Sequence, residues 1–235
     1  MVHYCGPKLG RHSALCYCRL MVARTRFCGI ILAAGESSRM GRDKALLPFP
    51  GQSPSSDSSE TFLSATIRLF MAHSDMVLVV AGKNKDLLAP IAGAHGASLV
   101  VNPSPERGQF SSLQTGLREA LERGYYNAFI TLVDRPPLRA ETLSILKSAF
   151  QAAISATKWA VIPEYQGKHG HPILAGPEMI EAFLRAPDTG NAREVEHANQ
   201  NTVEYFAVDD PFISLNVDTP EQYASLLSKS HSPTP

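Results

Sequence analysis

Four consecutive apolar residues, Gly29-Ile30-Ile31-Leu32, run directly into Ala33-Ala34-Gly35. A short apolar run of this kind reads as a buried parallel strand and sets the expectation of an α/β chain. The polar loop that follows carries Arg39, Gly41, Arg42 and Lys44. Small residues straight after a strand let the backbone approach a ligand closely, and their free N–H groups can cradle phosphate oxygens. Arg39 and Lys44 supply the positive charge that a triphosphate requires. Open α/β sheets bind their ligands at the carboxyl ends of strands, so the segment is read as a nucleotide site.

The spacing excludes the commoner phosphate loops. A P-loop needs G-x-x-x-x-G-K-[ST], but Gly35 and Gly41 are one position too far apart and Lys44 is followed by Ala45. The dinucleotide fingerprint G-x-G-x-x-G is also absent. Downstream, strand-like and helix-like segments alternate, the pattern of a parallel sheet with crossover helices. Strands are expected at Met76–Val80, Ala97–Val101, Ala128–Val133, Trp159–Ile162, Pro172–Ala175, Thr202–Val208 and Ile213–Val217. Helix stripes are set by Leu63/Ile67/Phe70, Leu113/Leu117/Leu121 and Leu143/Leu146/Phe150. Two further helices are expected near Met179–Leu184 and over the C-terminal segment with Tyr223, Leu226 and Leu227.

At 235 residues the chain suits one α/β domain, placed at residues 27–228. Lys plus Arg and Asp plus Glu both total 22, so net charge points to neither a nucleic-acid nor a membrane surface. No apolar run approaches a membrane span. Cys5, Cys16 and Cys18 lie in the first 26 residues with His3 and His12, but their spacing fits none of the usual zinc patterns. That stretch is read as a disordered extension ahead of an internal start at Met21, residues 229–235 as a flexible tail, and Gly51–Glu60 as a Ser/Pro-rich loop. Cys28, inside the first strand, is read as a small core residue. Without an export signal or a disulfide framework, a cytoplasmic location is expected.

Two aspartates stand at the ends of expected strands. Asp134 precedes Arg135-Pro136-Pro137, and Asp218 precedes Thr219-Pro220-Glu221. Taken singly, Asp134 could be a turn residue and Asp218 a helix N-cap. Together at the carboxyl edge of one sheet, beside the Gly35 loop, they suit Mg²⁺, which is usually held by one or two carboxylates plus substrate phosphates. Asn102-Pro103, Gly108 and Ser111-Ser112-Leu113 form a second polar stretch, with Ser111 or Ser112 expected to open a helix whose N–H groups face a ligand. A third is His169-Gly170-His171-Pro172, and Asn191-Ala192-Arg193 is a weaker candidate.

The segment Leu32-Ala33-Ala34-Gly35-x-Ser37-x-Arg39-Met40-Gly41-x-x-Lys44 resembles the signature of nucleotidyltransferases that act on the molybdenum cofactor. Asp134 matches that family's D-x-P motif, and Val217-Asp218-Thr219-Pro220-Glu221 matches most of its I-D-T-P-E-D-like motif, with Gln222 where Asp is often found. Arg135 departs from the usual Met or Gln. The resemblance implies a Rossmann-like, mostly parallel sheet flanked by helices, and transfer of a nucleotidyl group from CTP or GTP to the phosphate of molybdopterin, with release of pyrophosphate. It implies that Leu32, Ala33, Ala34, Gly35, Arg39, Lys44, Asn102, Gly108, Ser111 and Ser112 hold the nucleotide. Arg39 and Lys44 would also act in catalysis, Asp134 and Asp218 would hold Mg²⁺, and His169, His171 and Arg193 would face the acceptor. A client molybdoenzyme is the further partner implied.

Ala34 resembles the cytidylyl members, since guanylyl members tend to carry Gly there, and the missing methyl makes room for a purine. Sugar-phosphate nucleotidyltransferases usually have G-x-G-T-R at this loop, and methylerythritol-phosphate cytidylyltransferases usually have Pro-Lys-Gln where this chain has Asp43-Lys44-Ala45. Guanylyltransferases of small phosphorylated acids stay open, as does a non-catalytic module serving a molybdoenzyme.

Overall fold

The computed structural model describes residues 26–35, 40–49, 60–187 and 189–230, with side chains through residue 227. The expectations for residues 1–25, for Ser37 and Arg39, for most of the Ser/Pro-rich loop and for the last residues of the tail fall outside this set.

The first strand, β1 (Phe27–Leu32), is buried at every position. It pairs in parallel with β2 (Met76–Ala81) on one side and β4 (Asn127–Leu132) on the other, and β2 pairs in parallel with β3 (Ser98–Val101). Beyond β4 the sheet turns mixed. Strand β7 (Ile173–Ala175) is antiparallel to both β4 and β5 (Ala160–Tyr165), β6 (Lys168–His169) closes a hairpin on β5, and β8 (Val203–Ala207) lies parallel to β5. The order is β3-β2-β1-β4-β7-β5-β6, with β8 off that path on β5.

Alternation along the central strands sends side chains to two apolar layers. Phe27, Ile31, Val77, Val79 and Phe129 meet α1 (Phe62–Met71), α2 (Lys85–Ala94) and α4 (Ala140–Ser155) through Leu63, Ile67, Phe70, Leu88, Leu146 and Phe150. Cys28, Ile30, Leu78, Val80 and Ile130 meet α3 (Gln109–Glu122) and α5 (Pro177–Arg185) through Leu113, Leu117, Met179 and Phe183. A helix–sheet–helix sandwich results, as residues buried on both faces of a parallel strand require. Cys28 is fully buried, and burial pushes its thiol up to about 12, so it is an inert core residue. A third cluster lies off the sheet: Met40, Leu47, Phe49 and Phe62 pack against Val217, Tyr223 and Leu226. It fastens the segment after β1 to the C-terminal helix α7 (Pro220–Ser230).

The expected strand at Ile213–Val217 does not form. Pro211–Ile213 is a 3-10 turn, with the Asp210 carboxylate accepting from the Phe212 N–H, and residues 214–218 follow outside the sheet. Buried Ile213 and Val217 mimic strand periodicity, but Pro211 lacks an N–H and the Asp210 cap favours a turn. Helix α2 gave no legible stripe because it buries only Leu88 and Ala92 and contains Pro90. Thr202–Val208 is strand as expected, over Val203–Ala207, with only Val203 fully buried.

Candidate active site at the carboxyl edge of the sheet

Asp134 leaves the end of β4, and Asp218 reaches it by another route. The Val217 N–H donates to the Asp134 carbonyl at 3.0 Å, stitching the off-sheet segment to the loop after β4. Asp218 therefore does not end a strand, yet one backbone hydrogen bond holds it beside the residue that does. Its main chain is fixed from the far side as well. Gln222 Oε1 accepts from the Asp218 and Thr219 N–H groups at 2.6 and 3.1 Å, while Thr219 Oγ1 accepts from the Gln222 N–H at 3.3 Å. That reciprocal pattern is a capping box, and it gives Gln222 a role in orienting Asp218.

Lys44 opens a 3-10 turn, Lys44–Leu46, capped by the Asp43 carboxylate, which accepts from the Ala45 N–H at 2.9 Å. The other Asp43 oxygen accepts from Asn84 Nδ2 at 2.6 Å, and Nδ2 also donates to the Ala33 carbonyl at 2.9 Å. Asn84 thereby ties both ends of the loop after β1 to the end of β2. The turn drives the Lys44 ammonium between the two carboxylates, 3.2 Å from Asp134 Oδ2 and 2.5 Å from Asp218 Oδ1. Lys44 is only 9% exposed. Asn216 Nδ2 donates to the second oxygen of Asp218. Among the described residues, Asp134 Oδ1 and Asn216 Oδ1 are buried without a hydrogen-bond partner. Unsatisfied buried oxygens are costly, and hard oxygen donors beside two carboxylates suit Mg²⁺. The residues present thus fit such a cation.

Next to this group, Arg135 Nη1 donates to the Leu215 carbonyl at 3.4 Å, and its Nε is buried with no partner among the described residues. Burial lowers its pKa, against the opposing pull of Asp134 and Asp218.

The nucleotide-side residues divide into lining and support. Leu32, Ala34 and Gly35 face Pro105, Gly108, Gln109 and Ser112 across a cavity of ≈ 150 Å³. Helix α3 begins at Gln109, earlier than the serines suggested, and its N-cap Gly108 sits at φ +93°, where glycine is favoured. Among the described residues no side chain caps it, which leaves the first N–H groups for a ligand or water. Asn102 and Ser111 are buried and turned inward. Asn102 Nδ2 donates to Ser111 Oγ and Ser112 Oγ, each at 2.9 Å, and its Oδ1 accepts from the Ser104 N–H at 2.9 Å. This network shapes the loop before α3.

On the other side of β4 the cleft widens. A cavity of ≈ 340 Å³ is lined by Leu32, Gly108, His171, Ile173 and Glu196, among others. One of ≈ 600 Å³ includes Arg135, His169, His171, Arg193, Glu196 and Tyr205. All three expected acceptor-side residues thus line the larger cavity. Arg193 stands in the first turn of α6 (Ala192–Ala198), a helix where a loop was expected, with Asn191 as its N-cap. The His169 ring stacks on Tyr205 at 4.0 Å and 10°, and its Nε2 is 3.3 Å from Glu164 Oε2. His171 Nδ1 lies 3.3 Å from the Ile130 carbonyl. Burial, followed by the charge of Arg135, lowers the His171 pKa to about 4. Near neutral pH its ring is uncharged, donating through Nδ1 and leaving Nε2 as an acceptor. His171 is therefore no phosphate-binding cation.

Glu196 was missed by sequence reasoning, since a glutamate in a short helix carries no signal by itself. Burial raises its pKa to about 7, with Arg193 opposing. Asn84, Asn216 and Gln222 were equally invisible as site residues: Asn84 meets a partner distant in sequence, Gln222 meets main-chain N–H groups, and an Asn two positions before an Asp carries no signal by itself.

Among the described residues, no helix is long and apolar enough to cross a membrane. The chain is 25% identical over 196 residues to the molybdenum cofactor cytidylyltransferase of Escherichia coli, covering 83% of this chain and 92% of that one. It is 29% identical over 204 residues to the nicotine blue oxidoreductase of Paenarthrobacter nicotinovorans, covering 85% and 95%. Among solved structures it is similar to Rv0371c of Mycobacterium tuberculosis, with a TM-score of 0.70 and 26% identity over 86% of this chain and 98% of that one. Asp218 lies beyond the stretch that matches a described family, which spans residues 29–203 and is the MobA-like NTP transferase domain; the chain belongs to that family.

Proposed function

We propose that the chain transfers CMP from CTP to the phosphate of the molybdopterin cofactor, releasing pyrophosphate. The observation that carries this reading is the buried Lys44 ammonium between Asp134 and Asp218, at the strand edge that also presents Ala34 and Gly35. A phosphate oxygen of the acceptor attacks the α-phosphorus, a new P–O bond forms, and the bond from the α-phosphorus to the bridging oxygen breaks as pyrophosphate leaves. The nucleophile is already anionic, so no strong base is needed, and catalysis rests on positioning and charge neutralisation. Asp134 and Asp218 would hold Mg²⁺, which supplies Lewis-acid stabilisation of the phosphate oxygens. Lys44 and Arg39 hold the β- and γ-phosphates and stabilise the leaving group. The open N-terminus of α3 and the Gly35 backbone cradle the nucleotide, and Arg135 holds the acceptor's phosphate.

CTP is favoured over GTP because the Ala34 methyl narrows the wall of the small cavity, an effect of about 1–3 kcal/mol. The test is turnover of molybdopterin with CTP or GTP and Mg²⁺, with NAD(P)H oxidation followed in parallel because one relative is named an oxidoreductase. Cytidylyl product formed by the native chain, and lost in Asp134→Asn and Asp218→Asn while both remain folded, supports the reading. Product from GTP alone would move the base assignment. Full activity in the double variant would remove the metal assignment.

A further inference from the structure

The larger and the middle cavity share three lining residues, His171, Ile173 and Glu196. The middle cavity in turn shares Leu32, Gly108 and Gln109 with the small one against the Gly35 loop. Glu196 therefore borders both cavities on the side expected to take the acceptor.

What surrounds that point is chemically uneven. Arg135, Lys168 and Arg193 bring positive charge to the larger cavity, as a phosphorylated ligand requires. Its wall includes the His169–Tyr205 stack, a flat aromatic surface anchored by Glu164. The waist, by contrast, is built from hydrogen-bond acceptors and apolar carbon. Glu196 offers a carboxyl group, its pKa raised to about 7 by burial, that a pair of donors would hold ionised; His171 offers Nε2 because Nδ1 is committed to Ile130, and Ile173 lines both cavities. At this waist the acceptors stand within reach of the charges of Arg193 and Arg135. A flat ring carrying neighbouring N–H donors is matched by it, since a carboxylate accepts two parallel hydrogen bonds and buried polar groups must be satisfied.

We propose that Glu196 is the specificity-determining residue for the acceptor, accepting hydrogen bonds from a heterocyclic edge that presents an amino group beside a ring N–H. The inference deepens the nucleotidyl-transfer reading and rests on it for the identity of the cleft as the acceptor side. It assigns the ring of the acceptor to the side of the cleft where Glu196 stands, and its phosphate to Arg135, the residue next to Asp134. A dicarbonyl ring of the same shape would set an oxygen against the carboxylate and lose the pair of bonds.

The test is fluorescence titration of the full chain with pterin, which has the amino group, and with lumazine, which has a carbonyl in its place. The native chain should bind pterin at least about ten-fold more tightly than lumazine, the discrimination expected when a buried polar pair is left unmatched. Glu196→Gln keeps the size of the side chain but turns one acceptor into a donor. It should reduce the preference to within about two-fold while CTP affinity and thermal unfolding stay unchanged. Equal binding of the two rings, binding of neither, or an undiminished preference in Glu196→Gln would each overturn the proposal. A chain that discriminates through Glu196 but transfers no nucleotide would refute the transferase reading and leave only the ring contact at Glu196, without its role as acceptor specificity. Transfer that ignores the ring would do the reverse.

Discussion

Replacing Lys44 by methionine tests the physical logic of the whole site. The unbranched methionine side chain keeps most of the apolar packing of the lysine stem while removing the ammonium that lies 3.2 Å from Asp134 Oδ2 and 2.5 Å from Asp218 Oδ1. The side chains of Lys44, Asp134 and Asp218 are 11%, 21% and 23% exposed, so water screens the trio weakly. Removing one partner of a fully buried ion pair costs about 3–5 kcal/mol, and the partial access of both carboxylates to water lowers this to about 2 kcal/mol. For a chain of this size that is a fall of about 4–8 °C in Tm. In the native protein a divalent cation must displace the ammonium from the oxygens it would occupy, whereas in Lys44→Met it meets two carboxylates relieved of that ammonium. Thermal unfolding of both proteins in EDTA and then in millimolar Mg²⁺ measures the difference. The variant should melt lower in EDTA and gain more from Mg²⁺ than the native chain, while losing turnover. Equal melting in EDTA, or an equal gain from Mg²⁺ in both, would refute the reading of Lys44 as the placeholder for a cation.

The folded-state pKa of His171, about 4, lies below its ordinary 6.5. The folded state therefore prefers the neutral ring, and stability present above pH 6.5 is lost as pH falls toward 4. The full effect is about 1–3 kcal/mol after allowance for the ring's partial exposure, so His171→Gln should flatten the decline in denaturant midpoint between pH 6.5 and 4. Gly170→Ala would set a methyl 2.2 Å from the Ile213 carbonyl oxygen, where backbone must move. A loss of at least about 2–3 kcal/mol in chemical unfolding is expected, with weakened Mg²⁺ binding as the Pro211–Ile213 turn is pushed away. Asn102→Ala removes the acceptor of the Ser104 N–H and the donor to the Ser111 and Ser112 hydroxyls, Ser111 keeping its bond to the Gly108 carbonyl, so about 1–3 kcal/mol and a raised KM for nucleotide should follow, with kcat less affected.

Legibility in the sequence followed how local each signal was. The central strands were readable because burial on both faces leaves no polar residue to break the apolar run, as β1 shows. Helices α1, α3 and α4 were readable because each presents an apolar stripe to the sheet. Helix α2 and the Pro211–Ile213 turn were not, the first because it buries too little and the second because Ile213 and Val217 are spaced like strand residues. Lys44, Asp134 and Asp218 were named beforehand, and the structure brings them within hydrogen-bond reach of one another. The side chains that aim them depend on contacts such as Asn84 to Asp43, 41 positions apart, which no local pattern encodes.

The bond from the Val217 N–H to the Asp134 carbonyl also bears on how the protein is made. Every described strand precedes residue 208, so a growing chain can pair its sheet while Asp218 is still unsynthesised. The segment that follows completes the apolar layer through Ile213, and its Asp210 carboxylate accepts from the Arg139 N–H and the Thr142 hydroxyl. The late arrival of Asp218 thus coincides with the closing of the core, and a chain cut short after β8 would lose both together.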